Sequence, residues 1–168
     1  MSIPDWLPHL IDTNGEWSEV VARLYAIFER DFKRGRPTWE GRPVWWEWRR
    51  DPGDPYENGF WHLITRDSEE KKARLFDPSR AQRLCWCAAT LAHSDDPAIL
   101  KWDYREGSRR IRTYLWLQDF DYVVIIEKKT KHDRQTGGWF DIADLITAYY
   151  VDGDSERLKL KRKYDKRL

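Results

Sequence analysis

Residues 14–34 place Val20, Val21, Leu24, Ile27, Phe28 and Phe32 at spacings of three and four, the period of one helix face. Asn14 stands where a cap belongs, Glu16 falls in the first turn, and Gly35 and Pro37 stop the helix. Residues 43–49 are aromatic and read as extended, and 51–59 form a loop rich in turn residues. Residues 60–66 read as a strand, with Phe60, His62 and Ile64 on one face and Trp61, Leu63 and Thr65 on the other. A second helix opens at Asp77-Pro78, the aspartate as cap and the proline in the first position, with Leu84, Ala88 and Leu91 as its buried stripe. Residues 93–97 are a loop.

The rest of the chain reads as a meander. Residues 109–117 and 121–129 are strands joined by three residues, which predicts an antiparallel hairpin. Residues 130–138 are a polar, glycine-containing loop. A further strand runs around 145–151 and ends at Asp152-Gly153, and Asp154 or Ser155 caps a last, basic helix. The order of helix, strands, helix, strand meander and terminal helix predicts an α+β fold: an antiparallel sheet of four to five strands with helices on one face, extended by an N-terminal helix and strand. Residues 1–59 are that extension, packed on a core of 60–168 in one compact domain.

Composition narrows the class. The 168 residues suit one hydrophobic core, and 40% hydrophobic with 35% charged residues excludes a disordered chain. No apolar run approaches the ~20 residues of a membrane helix. The first residues lack a basic and then apolar leader, so no signal peptide is expected. Cys85 and Cys87 are the only cysteines, too few for a disulfide framework, and a cytoplasmic location is expected. A Cys-x-Cys pair without a second pair is poor zinc spacing, and His93 and His132 lack companion ligands, so neither a metal nor a cofactor is expected.

Eleven tryptophans are many for this length. They suit a core of large aromatics first and a base-stacking surface second. Net charge is +1, but residues 156–168 carry seven basic residues, Lys161 and Arg162 among them, against two acids. Arg105, Arg109, Arg110 and Arg112 add a second basic cluster. Such local density can follow a phosphate backbone, and a solvated terminal helix accounts for the tail equally well.

Three groups can carry chemistry. His62 titrates near neutral pH and suits a general acid or base, with Arg66 near enough to grip a phosphate. Thr147 and Tyr149 share a strand face, so two hydroxyls point the same way. Arg110, Arg112 and Tyr114 share another, where cations can offset charge developing on phosphorus. Each also has an ordinary structural reading: a hydrogen-bonding histidine, common strand formers, a charged exposed face.

Taken in order, these pieces resemble prophage-borne members of the barnase–EndoU–colicin–RelE superfamily of RNases. The resemblance lies in His62 to Arg66, Arg74, Arg80 to Trp86, Tyr114 to Leu117, Asp121 to Ile125 and Leu145 to Tyr149, about two thirds of the chain. It implies metal-independent RNA cleavage by attack of the ribose 2′-hydroxyl, leaving a 2′,3′-cyclic phosphate. His62 would be the base or acid, Arg66, with Arg112 as an additional candidate, would hold the phosphate, and Thr147 and Tyr149 would position the phosphate or the base. Arg74, Arg80, Arg110, Lys161 and Arg162 would contact RNA, with transfer RNA among the open targets. A toxin of this type implies an antitoxin or immunity protein.

Two rivals stand beside it. One is a binding module for RNA or protein with the same fold and no turnover. The other is a magnesium-dependent restriction-type nuclease, on the spacing Asp121, Glu127, Lys129, whose carboxylates could share a strand face.

Overall fold

The first apolar stripe winds as its spacing predicts. In a computed structural model, which describes residues 2–168, helix α1 (Trp17–Phe28) buries Val20, Val21, Leu24 and Phe28 and continues as a π-helical segment, Glu29–Arg34, that buries Phe32. Glu16, not Asn14, stands at the cap position. Strands β1 (Thr38–Trp39) and β2 (Arg42–Trp45) follow, then α2 (Asn58–Ile64), a ribbon of β3 (Thr65–Ser68) and β4 (Ala73–Phe76), and α3 (Pro78–Gln82) with α4 (Leu84–Ala92). The meander is β5 (Ile99–Glu106), β6 (Arg110–Leu117), β7 (Tyr122–His132) and β8 (Trp139–Tyr150), closed by α5 (Asp154–Asp165).

The fold is α+β, and the sheet differs from the expected one. It has six strands in the order β1-β2-β8-β7-β6-β5 and is mixed, because β2 runs parallel to β8 through Val44 against Ala143 and Trp45 against Asp144. Strand β5 lay outside the expected elements. Leu100, Trp102 and Tyr104 alternate there with Lys101, Asp103 and Arg105, a two-residue period masked by its charges. Strand β7 runs on to His132, into the stretch expected to be a loop.

Helices also cover both faces of the sheet, not one. Leu115, Leu117, Val124, Ile126 and Ala148 pack with α1, α2 and α4 in a core that spans Val20 to Ala148, so the chain before residue 60 shares it. The alternate residues Tyr114, Trp116, Val123 and Ile125 meet Leu160 of α5 on the other side. No helix among the described residues is long and apolar enough to cross a membrane.

Residues 60–64 form the end of a helix rather than a strand, and only Thr65 and Arg66 are extended, as the start of β3. Phe60, Leu63 and Ile64 are all buried, at positions i, i+3 and i+4, and Asp77 N–H bonds to the Ile64 carbonyl as the chain leaves. The aromatic and β-branched composition suggested a strand, and the core selected the helical period. The N-terminus of α2 lies hard against the loop after β2: Asn58 and Gly59 N–H donate to the Arg49 and Glu47 carbonyls, both at 2.7 Å. A Cβ on Gly59 would sit 2.6 Å from the Glu47 carbonyl oxygen.

Glu57, just before α2, is buried and meets Tyr25 Oη at 2.8 Å, Arg50 Nη2 at 2.6 Å and Lys33 Nζ at 3.3 Å. Burial alone would raise its pKa, but the bonds from Tyr25, Arg50 and Lys33 outweigh it and hold the carboxyl below its ordinary value.

Two outcomes follow for stability. Gly59→Ala should lose about 1–3 kcal/mol in urea unfolding, because the backbone it strikes has nowhere to move. Glu57→Gln should be less stable than the native chain at pH 7. A depressed folded pKa contributes stability above the unfolded value of about 4.3 and loses it as pH falls through the folded one, so the gap between the two proteins should close in acid.

Candidate functional site

Strand β8 is paired on its outer side only as far as Asp144, where β2 stops. Beyond that point no strand lies beside it, and α2 and α3 pack there instead. The register of β8 against β7 slips at Ile125/Ile126, which leaves Ile146 as an extra residue. A bulge of this kind re-aims its neighbours. The result is a cleft of about 300 Å³ lined by His62, Asp67, Arg74, Arg80, Ile146, Thr147 and Tyr149. Four pieces of structure supply it: α2 gives the imidazole, the β3–β4 ribbon and α3 give the guanidiniums, and β8 gives both hydroxyls.

Thr65, at the junction of α2 and β3, arranges the cations. Its carbonyl accepts from Arg74 Nη2 at 2.9 Å and Arg80 Nη1 at 2.7 Å, and its hydroxyl accepts from Arg74 Nε at 2.8 Å. Asp67 takes Arg74 Nη1 at 2.8 Å. Arg80 is less fully matched. Its Nε is buried without a hydrogen-bond partner, 3.5 Å from Asp77, and its guanidinium lies 5.4 Å from the Tyr149 ring centroid. Two cations thus share one carbonyl, each with a carboxylate beside it.

Burial lowers the pKa of His62, and the positive charge of Arg74 lowers it further against an opposing pull from Asp67. The ring is therefore neutral at pH 7 and free to accept a proton. Burial raises Tyr149 to about 12, with Glu156 adding and Arg80 opposing, so its hydroxyl stays protonated. Burial also lowers Arg80, against the charge of Asp77, yet a guanidinium keeps its charge at any physiological pH.

The structure gathers some of the candidates and separates others. His62, Thr147 and Tyr149 share the cleft with Arg74 and Arg80, but His62 reaches it from a helix. Arg66 is exposed and lines the neighbouring pocket, which also borders Arg80 and Tyr149. Arg112 stands on β6, 3.8 Å from Glu127 and outside the cleft. Arg110 is exposed at the start of β6, and Lys161 and Arg162 are exposed on α5. Asp67 and Ile146 escaped sequence reasoning. The acid-rich loop around Asp67 gave no signal, and a bulge cannot be read from one strand alone.

The restriction-type set is not assembled. Asp121 accepts from Arg157 Nε and Nη2 at 2.7 and 2.6 Å, beside the start of α5. Glu127 lies six residues along, roughly 20 Å away at the rise of a strand. Lys129 reaches Glu127 at 3.3 Å and Asp144 at 2.7 Å. No cluster of three or more histidine, cysteine, aspartate or glutamate side chains suited to a metal occurs among the described residues. Cys85 and Cys87 are buried on α4, and burial raises both thiols, which leaves them unreactive.

No protein-family model matches this chain, and neither does any curated protein or solved structure.

The His62 imidazole should titrate below 6.5 in proton NMR, and Arg74→Gln should move it upward. A folded pKa below the unfolded one also means that the His62 contribution lowers stability as pH drops under about 6.5.

Proposed function

We propose that the chain is a metal-independent endoribonuclease that cuts through the ribose 2′-hydroxyl. The observation that carries this reading is the meeting of a neutral imidazole, two guanidiniums and two hydroxyls in one solvent-reachable cleft.

Each group then has a task. The phosphate enters beside Arg80, whose charge offsets the negative charge that builds on phosphorus. Arg74, paired with Asp67, adds its field to the burial that keeps His62 deprotonated. His62 takes the proton of the 2′-hydroxyl as the oxygen attacks the adjacent phosphorus. The bond from phosphorus to the 5′-oxygen breaks, and the Tyr149 hydroxyl, held protonated, gives its proton to that oxygen. Thr147 donates a hydrogen bond to a non-bridging oxygen. Products are a 2′,3′-cyclic phosphate and a 5′-hydroxyl end, and solvent returns the proton from His62 to Tyr149. DNA lacks the nucleophile and is not cut. Acting in the cell that makes it, such an enzyme needs a neutralising antitoxin or immunity protein.

Purified protein incubated with total cellular RNA in excess EDTA should give fragments with cyclic phosphate and 5′-hydroxyl ends. His62→Ala should slow cleavage by roughly 10²–10⁴-fold with folding intact, the usual range for a lost acid or base. The acidic limb of the rate profile should follow the His62 titration, below pH 6.5. Cleavage that survives His62→Ala at the native rate would overturn the reading. Cleavage that requires added magnesium would do the same.

A further inference from the structure

Tryptophan is the side chain with most to gain from burial, and Trp39, Trp86, Trp102 and Trp116 are buried here. Trp45 and Trp48 are not: 42% and 71% of their surfaces face solvent. They lie together. With Trp46, Arg49, Lys131 and His62 they line a groove of about 600 Å³, and His62 is also a wall of the phosphate cleft. The groove therefore borders the place where the scissile phosphate is proposed to sit.

The aromatic surface continues beyond Trp45. Phe140 is 38% exposed, with its ring centroid 5.8 Å from that of Trp45. Lys131 holds its ammonium 5.9 Å from the Trp45 ring centroid. The acids of the groove are already matched: Glu47 by Arg49 at 3.1 Å and Asp144 by Lys129 at 2.7 Å. Lys131 has no ion pair among the described residues, so it is the cation left to meet a phosphate.

Flat exposed rings beside an uncommitted cation suit a strand whose bases are unpaired. Each base presents a π-face to a ring while its phosphate meets the ammonium. A duplex cannot use the groove in this way, because its bases are stacked on one another and only edges and phosphates face outward. We infer that Trp45 and Trp48 form a stacking platform for the nucleotides on one side of the cut, so that the substrate class is single-stranded RNA. The inference rests on the RNase reading for the position of the phosphate. The platform itself makes no use of proton transfer, and this keeps the two separable.

The test uses 2′-O-methyl oligoadenylate, which keeps RNA geometry but has no free 2′-hydroxyl to attack. Binding is followed by tryptophan fluorescence, with the strand single or annealed to its oligouridylate complement. The native chain should bind the single strand and bind the duplex at least ten-fold more weakly. Trp48→Ala, and separately Trp45→Ala, should weaken single-strand binding by roughly ten-fold, within the range for one lost base stack. Trp48→Phe should restore most of it. Near-ultraviolet circular dichroism checks that the variants are folded, and Trp48 is exposed enough to remove safely. Equal binding of single strand and duplex, or unchanged binding in both alanine variants, would overturn the platform. Platform binding without cleavage of natural RNA leaves this inference standing and removes the RNase reading. Cleavage with no effect of either tryptophan does the reverse.

Discussion

Glu57 brings a negative charge into the protein, and donors from three separate segments meet it: Tyr25 on α1, Lys33 on the π-helical turn and Arg50 in the loop after β2. Two residues later Gly59 lets α2 rest directly on the backbone of that same loop. Between them these contacts fix where α2 begins and how it is rotated. His62 is one turn further along, so its position follows from them rather than from anything in the cleft. The seven-residue helix that carries His62 has little stability of its own to draw on, because short helices gain theirs from packing.

The cations of the cleft are held by similar economy. Arg74 and Arg80 would repel one another if placed freely. Thr65 supplies a carbonyl to both and a hydroxyl to one, and Asp67 and Asp77 balance part of the charge. Two guanidiniums are thus fixed at the wall of the cleft before any ligand arrives. Preorganised charge of this kind needs no rearrangement when negative charge develops. The charge of Arg74 also adds to burial in lowering the proton affinity of His62.

The sequence was informative where one local period decided the structure. The stripe from Val20 to Phe32, the Asp77-Pro78 helix start, the β6–β7 hairpin and the basic terminal helix all follow from neighbours along the chain. Asp77 caps its helix by accepting from Arg80 N–H, as its position suggests. Legibility failed where the tertiary structure chose. Residues 60–66 satisfy an alternating and a helical pattern at once, and burial of Phe60, Leu63 and Ile64 settles it. The parallel pairing of β2 with β8 joins residues about a hundred positions apart and leaves no local mark. In the site, His62, Thr147 and Tyr149 could be chosen by residue type and shared face. Which arginines accompany them could not, because that depends on the ribbon fold of β3 and β4.

The cleft exists because β2 ends at Trp45 and leaves the outer edge of β8 without a strand from Leu145 onward. An unpaired edge is a template for any extended chain, a second copy of this one included. Packing of α2 and α3 along that edge is therefore a guard as well as a scaffold. When the guard loosens, the hazard is self-association through β8 before the rest of the sheet has melted. The mouth of the cleft and the edge that invites aggregation are one stretch of backbone, covered by two short helices.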